Sequence, residues 1–447
     1  MNLIFRLLYR AYRIGSSSNH WTRRRFTPAG HLVLITAMAA ALLGLDVENS
    51  VGYQAVTLLL ALLLVSLLAG FRFRAAFAVE RALPRLGTAG QAIHYRVALR
   101  NLSAKSQAGL VLLEDLADPR PPFREWKEFK LDEDRHIRPF RSFRQRTNPF
   151  TMASASEAVV PSLAPQQRVE VEIQLTPRRR GLVQFTGVTL ARPDPLGLFR
   201  ALRKIAAPQS MLILPKRYPL PALALPGVMK YQPGGVALAS NIGQSDEFVA
   251  LRDYRPGDPV RHIHWRSWAK TGAPIVKEFE DEFFVRHALV LDTFTGRPHS
   301  EAFEEAVSVA ASFACTVLSQ ETLLDLLFVG PQAYCFTAGR GLAHADQMLE
   351  VLAAVRPCQE TSFGTLERLI VNHASTVSGC ICVLLAWDAE RQRLVEKLKQ
   401  FGLPVLVLVI RPVGDKQPLA PGPMRDAPDR LHALEIGRIE EQLARLR

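Results

Sequence analysis

The chain has 447 residues, of which 48% are hydrophobic and 22% charged, with a formal net charge of +13. This composition excludes global disorder, and the length predicts two or three domains. The first 25 residues hold six arginines and no acidic residue. Such a segment suits an anionic membrane surface, and no nucleic-acid-binding module accompanies it, so we expect no nucleic-acid partner.

After this basic segment, residues 1–27, come two hydrophobic runs within residues 28–71. The run at 51–70 is long enough to cross a bilayer as a helix, whereas the run at 32–45 is short unless its flanks are included. Arginines lie on both outer sides of the pair, and residues 46–50 between the runs carry none. The positive-inside rule therefore predicts a transmembrane helical hairpin with both termini and the main domains in the cytoplasm.

The residue pattern of 72–218 predicts β-strands. Segments such as "AIHYRVALRN" (92–101) and "RVEVEIQLTP" (168–177) alternate apolar and polar residues, which is typical of half-buried strands. This pattern predicts an antiparallel β-sandwich of immunoglobulin-like size. Residues 118–150, rich in charge, proline and aromatics, are interpreted as a solvated loop, or alternatively as a surface for lipid headgroups or a partner.

Continuous apolar strands alternate with helical segments over residues 283–411. This alternation predicts a doubly wound α/β domain, whose functional edge lies at the strand ends marked by Asp292 and Asp388. Nucleotide-binding glycine motifs do not occur in the sequence. The five cysteines lie in this part of the chain, and we expect reduced, mostly buried thiols, with Cys380 and Cys382 on one strand face. Residues 412–447 form a tail that ends in a short amphipathic helix.

Residues 219–282, between the two predicted folds, contain a dense polar motif, "DEFVALRDYRPGDPVRHIHWRSWAKTG" (246–272). Its notable residues are Asp246, Glu247, Arg252, Tyr254, Gly257, Asp258, Arg261, His264 and Trp265. Together with "PRRRG" (177–181) and "DPLGLF" (194–199), this motif resembles the bacterial family of domain of unknown function 58 proteins.

The resemblance implies a C-terminal domain similar to von Willebrand factor A domains, a place at the bacterial inner membrane, and a MoxR-type AAA+ ATPase as partner. Related domains hold a metal with an Asp-x-Ser-x-Ser loop, a Thr and a second Asp. Asp292, Thr365 and Asp388 match three of these ligands, but Phe294 and Gly296 replace the serines, which weakens a hard-cation site. We therefore expect no metal or other cofactor, and expect Asp292 and Asp388 to cap turns or pair with arginines.

The polar motif admits two interpretations. A metal-dependent hydrolase could use His264, Asp258 and Glu247, but no known catalytic signature is present. Alternatively, Pro256-Gly257-Asp258 forms a tight turn, arginines pair with carboxylates, and the tryptophans seek partners, as in a structural joint or a partner surface. We favour the second interpretation, which describes a non-enzymatic, membrane-anchored scaffold. A third class, a binder of lipids or peptidoglycan precursors through 118–150, stays open.

Overall fold

The computed structural model describes residues 2–43, 50–71, 73, 75–136, 150–221, 230–231, 248–256, 260, 263–279, 283–284, 286–297, 299–319, 323–338, 342–415 and 418–446. The chain divides into two compact units, Met1–Lys216 and Arg217–Arg447. This division falls close to residue 218, where the sequence predicted the end of the β-rich segment.

Three helices open the first unit: α1 (Asn2–Arg25), α2 (Pro28–Leu43) and α3 (Ser50–Gly70). The apolar helices α2 and α3 pack against each other, as the predicted hairpin requires. Among the described residues one helix, over Gly52–Gly70, is long and apolar enough to cross a membrane, while the apolar stretch of α2, Pro28–Leu42, is shorter. The helix pair is therefore present, and by length one of its members can span a bilayer.

The rest of the first unit is rich in strands, as the alternating residues predicted. The strands are β1 (Phe77–Ala82), β2 (Leu86–Thr88), β3 (Ile93–Asn101), β4 (Leu110–Leu116), β5 (Ala153–Ala155), β6 (Ala158–Val160), β7 (Arg168–Pro177), β8 (Gly181–Pro193) and β9 (Arg200–Leu214). They form two sheets, of order β1-β3-β7-β5 and β2-β9-β8-β4-β6. Within the described residues of these two sheets, only the β2–β9 pairing is parallel. Val97 and Ile173 of the first sheet share one hydrophobic core with Val188 and Ile213 of the second.

A buried ionic network lies within these sheets. The Arg81 guanidinium donates to both carboxylate oxygens of Glu114, over 3.1 and 2.8 Å, and the Tyr95 hydroxyl donates to Glu114 Oε1 over 2.9 Å. Arg81 also donates to the backbone of Ala207 and Gly187. Each charge of this network has a hydrogen-bond partner, so neither Arg81 nor Glu114 is buried unpaired.

Residues 118–150, interpreted from the sequence as a solvated loop, contain a helix, α4 (Phe123–His136). Trp126 of α4 is buried against the rings of Tyr9 and Tyr12 from α1. The loop interpretation was wrong for this stretch because the aromatic partners that stabilise α4 come from the other end of the unit. Residues 137–149 lie outside the described part of the chain.

The second unit alternates strands and helices, as predicted. Its strands are β10 (Lys230–Tyr231), β11 (Phe248–Asp253), β12 (Ile275–Phe279), β13 (Phe283–Phe284), β14 (Arg286–Leu291), β15 (Leu323–Val329), β16 (Ala333–Ala338), β17 (Gly379–Leu384), β18 (Val405–Arg411) and β19 (Leu431–Glu435). Its helices are α5 (Trp265–Thr271), α6 (Glu301–Ser319), α7 (Leu342–Ala354), α8 (Phe363–His373), α9 (Ala389–Gln400) and α10 (Ile439–Leu443).

Six of these strands form one sheet of order β16-β15-β14-β17-β18-β19. Neighbouring strands are parallel except β16, which runs antiparallel to β15 at one edge. Phe363 and Leu366 of α8 and Leu394 of α9 pack with Val290 and Cys382 in one core of the sheet. The mixed α/β architecture with a mostly parallel sheet is confirmed.

The sheet continues beyond residue 411, where the sequence predicted its end. Leu431–Glu435 (β19) pairs parallel with β18. The predicted terminal helix is present as α10, and its Ile439 and Leu443 are buried. The sequence did not predict this last strand, because the segment after Arg411 is rich in proline and glycine. Such residues are typical of a linker rather than of a connection inside a domain.

Candidate functional site

The site favoured by topology lies at the ends of β14 and β17. The sheet order places β15 on one side of β14 and β17 on the other, so the order of the strands reverses beside β14. Ligand sites of parallel sheets lie outside the carboxyl ends of the strands at such a reversal. Asp292 follows β14 directly, and Asp388 precedes α9 after β17. The structure thus places both predicted aspartates at one sheet edge.

Asp292 joins the ends of the two strands. Its side chain is 0% exposed. Oδ1 accepts a hydrogen bond from the backbone N–H of Phe294 (2.9 Å), and Oδ2 accepts one from the backbone N–H of Leu385 (3.0 Å). Since Leu385 lies just beyond β17, the Asp292 carboxylate bridges the point where the strand order reverses.

Arg391, in the first turn of α9, supplies a cation to both aspartates. Its Nε donates to Asp292 Oδ2 over 2.6 Å, and its Nη1 donates to Asp388 Oδ2 over 2.5 Å. Its guanidinium carbon lies 4.9 Å from the centre of the Phe363 ring. Burial opposes the charged form of Arg391, but Asp292 and Asp388 outweigh it and raise the pKa of the guanidinium, so the cation is permanent.

Asp388 has a second role as the N-cap of α9. Its Oδ1 accepts the backbone N–H of Arg391 over 3.1 Å, which satisfies one of the free donors of the first helical turn. The expectation that Asp292 and Asp388 cap turns or pair with arginines agrees with these contacts. The sequence analysis did not identify Arg391 itself. Its signal was the Asp-x-x-Arg spacing, which places a guanidinium beside an N-cap carboxylate.

The arrangement does not fit a divalent cation. A guanidinium already contacts both carboxylates, and each oxygen of Asp292 already accepts a hydrogen bond. Thr365 lies in the first turn of α8, where its N–H donates to Ser362 O. No group of three or more His, Cys, Asp or Glu side chains suited to a metal occurs within the described part of the chain. With Arg391 in place, the charge that a metal would balance is balanced by the protein.

The polar motif begins as a two-stranded ribbon with a short helix. β11 pairs antiparallel with β12, and the N–H of Tyr254 donates to Pro274 O over 3.0 Å. The N–H of His264 donates to Ile275 O over 2.8 Å, which places the start of α5 against β12. Arg252 lies in β11. Five further residues of the motif lie outside the described residues: Asp246, Glu247, Gly257, Asp258 and Arg261.

Trp265 and Trp268 form a stacked pair on α5, with ring centres 5.2 Å apart and an angle of 20° between the planes. Trp265 is 61% exposed, and α5 has no buried residue. This differs from the expectation that the tryptophans find buried partners in a joint. An exposed tryptophan ring stacked on a half-buried one is instead typical of a surface that binds a partner.

His264 lies at the N-cap of α5 and is partly buried. Its Nδ1 lies 2.6 Å from the Ser267 hydroxyl, a local contact within the first turn of α5. The acidic residues of the hydrolase interpretation, Asp258 and Glu247, lie outside the described residues. No described contact therefore favours that interpretation over a partner surface.

The signature "DPLGLF" (194–199) has a structural role in the first unit. Asp194 accepts backbone hydrogen bonds from Leu198 and Phe199, each 2.7 Å long, and so closes the loop. The start of α2 rests on this loop, since the N–H of Thr27 donates to Leu198 O over 3.2 Å. A Cβ on Gly30 would lie 2.0 Å from Leu198 O, so only glycine permits this close approach.

Residues 250–391 match the model of the family described as Protein of unknown function DUF58. The family inferred from the motifs is confirmed for this region, which contains α5, Asp292, Asp388 and Arg391. The Uncharacterized protein YeaD of Bacillus subtilis (strain 168) is 29% identical over 205 residues, which are 45% of this chain and 49% of that protein. The chain thus spans about half the length of the curated relative that it matches.

Two solved structures show distant likenesses to this chain. A CARDB domain from Pyrococcus furiosus is 11% identical, with a TM-score of 0.17, over 31% of this chain and 94% of that domain. A β-glucosidase from Listeria innocua is 11% identical, with a TM-score of 0.18, over 31% of this chain and 16% of that enzyme. Likenesses this weak carry no argument about fold or function.

Proposed function

We propose that this protein is a membrane-anchored cytoplasmic scaffold or adaptor that binds a protein partner through Trp265, the exposed member of the stacked pair Trp265 and Trp268. The family resemblance suggests that this partner is a MoxR-type AAA+ ATPase and that the pair acts in the assembly or maturation of other proteins. The observation that carries the proposal is the exposure of Trp265 within the region shared with the family.

The energetics of the tryptophan pair suit a binding surface. A tryptophan buries about 200 Å² when it is fully enclosed, so covering the exposed part of Trp265 stabilises a complex by about 2–3 kcal/mol. That is the size of a binding hot spot. Stacking on Trp268 holds the Trp265 ring in one orientation, which lowers the entropy lost on binding.

The features of the second unit support the proposal that it is a von Willebrand A-like domain that works without a metal. Its sheet has an antiparallel edge strand, β16, and an aspartate directly after the first strand of the sheet, β14. Arg391 supplies the positive charge between Asp292 and Asp388. In this proposal the strand-end edge is a fixed structural support of the domain, and partner binding does not depend on an ion. The two sheets and shared core of the first unit support an immunoglobulin-like sandwich.

The membrane anchor is supported by the two apolar helices. α3 has the length of a span, and leucines such as Leu58 and Leu64 are exposed along it. Packing of α2 against α3 fits a hairpin whose shorter member is buried by its neighbour and by lipid. In this proposal both termini and both folded units lie in the cytoplasm, which the arginines on the two outer sides of the hairpin support.

The test is affinity purification of the full-length protein from native bacterial membranes, followed by mass spectrometry. The wild type should recover an AAA+ ATPase, and Trp265→Ala should lower the recovered amount at least about tenfold, as expected for a hot spot. Phe401→Ala is the matched control, because Phe401 is another exposed aromatic of the same unit. Equal recovery of the ATPase with wild type and Trp265→Ala, or recovery of none with the wild type, would overturn the proposal.

A further inference from the structure

The N-terminal helix α1 presents an uncovered apolar stripe. Leu3, Ile4, Leu7, Leu8 and Ile14 are each more than half exposed. Their spacing of three, four and seven residues places them along one side of the helix. In a soluble protein such a stripe normally packs into the core. Because this stripe is exposed, we infer that it binds an apolar environment outside the chain.

The opposite side of α1 is already occupied by protein. The Tyr9 ring lies 5.4 Å from both Phe123 and Trp126 of α4, and its hydroxyl donates to Pro121 O over 2.8 Å. Tyr12 stacks on Trp126 at 5.7 Å. The helix is therefore fixed in rotation about its axis, and the apolar stripe cannot turn inward.

The carboxyl end of α1 is fixed as well. The Arg24 guanidinium forms an ion pair with the buried carboxylate of Asp115 and donates to Glu114 O over 2.8 Å. Thr189 donates to the other oxygen of Asp115 over 2.7 Å, which holds the carboxylate in place. α1 is thus a docked element of the first unit along most of its length.

Between the docked side and the apolar stripe runs a row of arginines. Arg6, Arg10 and Arg13 are exposed and lie four and three residues apart, so they share one stripe of the helix. With Tyr9, Ile14 and Phe123 they line an open groove of about 460 Å³.

The positive charges of Arg6 and Arg10 have no acidic partner within the described part of the chain. None of the three arginines forms an ion pair within the described part of the chain. Arg13 also interacts with Asp118, but the ion pair of that carboxylate is with Arg120, at 2.7 Å. Three cations in one row repel one another unless an anion binds between them.

We propose that α1 lies in the plane of the membrane surface and that Arg6, Arg10 and Arg13 bind the phosphates of anionic phospholipids. The apolar stripe enters the boundary between headgroups and acyl chains, while the arginines beside it remain at the level of the phosphates. Guanidinium groups suit this ligand because they bind phosphate oxygens in a bidentate manner. α2 begins three residues after α1 ends, which keeps α1 at the surface that the apolar helices enter.

This inference rests on the membrane anchor of the proposed function, and it adds a lipid class and a binding site. Each arginine close to an anionic surface contributes about fivefold to binding, so loss of all three should weaken lipid binding at least about tenfold.

The experiment uses the full-length protein in detergent, with native mass spectrometry during titration with phosphatidylglycerol or phosphatidylcholine. The wild type should bind phosphatidylglycerol in preference. A variant with Arg6→Gln, Arg10→Gln and Arg13→Gln should lose that preference at least about tenfold. The charge-matched control replaces Arg96, Arg100 and Arg203, which are exposed on the sheets of the same unit, by glutamine, and it should keep the preference.

Three outcomes would overturn the inference: an unchanged preference in the α1 variant, equal loss in the control variant, or displacement of the lipid by inorganic phosphate or duplex DNA at similar concentration. Thermal melting of both variants verifies their fold. The anchor is judged separately, by recovery of the wild type in washed membranes. Loss of the wild type from membranes contradicts the proposed function, whereas an anchored protein without lipid preference contradicts only the role of α1.

Discussion

Arg391 donates from Nε to Oδ2 of Asp292 over 2.6 Å, at a position where the carboxylate has no access to solvent. The two residues come from different elements, since Asp292 follows β14 and Arg391 belongs to the first turn of α9. Removing one partner of such a buried ion pair lowers the free energy of unfolding strongly, because the other charge stays buried without a compensating partner.

Replacement of Arg391 by methionine should destabilise the second unit by about 3 kcal/mol, because Asp292 then remains buried without its cation. Calorimetry of the full-length protein in detergent should show one lowered transition. Arg393→Ala is the control, since Arg393 is exposed on the same helix. A melting temperature of Arg391→Met equal to that of the wild type would contradict the importance of the pair.

The metal response should depend on Arg391. Addition of Mg²⁺ or of EDTA should leave the melting temperature of the wild type unchanged, since the guanidinium already contacts both carboxylates. Arg391→Ala exposes two carboxylates without a cation, so Mg²⁺ should raise its melting temperature. Asp388→Asn in the same background should abolish the rise. Stabilisation of the wild type by Mg²⁺ would show that the site holds a metal beside Arg391.

His287 should make the second unit sensitive to acid. The side chain is 2% exposed on β14, and burial lowers the pKa of His287 to about 4. The unfolded chain then binds a proton between about pH 6.5 and pH 4 and the folded chain does not, so stability falls as the pH falls through this window.

The loss should amount to about 3 kcal/mol across the window, at 1.36 kcal/mol for each pH unit. His287→Leu should flatten this dependence, whereas His94→Gln, at an exposed position, should leave it intact. The measurement is the melting temperature of the second unit, identified as the transition that Arg391→Met lowers, from pH 7 to pH 4. A wild-type profile that is flat over this range would be inconsistent with a neutral buried imidazole.

Gly30→Ala should loosen the start of α2. The added methyl would lie 2.0 Å from Leu198 O, and this neighbour is backbone, which has little room to move. We expect faster amide exchange of Thr27 and of residues 194–199, together with a lower melting temperature of the first unit. Gly15→Ala is the control, because a Cβ on Gly15 meets nothing within 4 Å. Equal amide exchange rates in both variants would contradict the close contact between α2 and the loop at 194–199.

Elements whose pattern is local were predictable from the sequence. The apolar strands of the α/β unit stand where their runs of apolar residues placed them, and Cys380 and Cys382 share a strand face with their sulfurs 3.6 Å apart. Gly402 ends α9 in the left-handed conformation, as its position indicated.

Features that depend on distant partners were not predictable. Arg391 meets Asp292 across 99 positions of the chain, and no local pattern shows that contact. The helix α4 is stabilised by Tyr9 and Tyr12, which lie far upstream, so its charged sequence resembled a loop. The exposure of Trp265 also depends on tertiary structure, because the sequence shows an aromatic residue and not what covers it.

The close contact between the start of α2 and the loop at 194–199 has a mechanical consequence. Thr27 and Gly30 hold the start of α2 within a few ångströms of the loop at 194–199, so in the proposed membrane anchor the described contacts join α2 to the sheets without a slack linker. The height and tilt of these sheets above the bilayer are then fixed by the protein, and the unit does not sweep a wide radius as a domain on a long tether does. A partner that engages this unit therefore meets it at a set distance from the lipid surface.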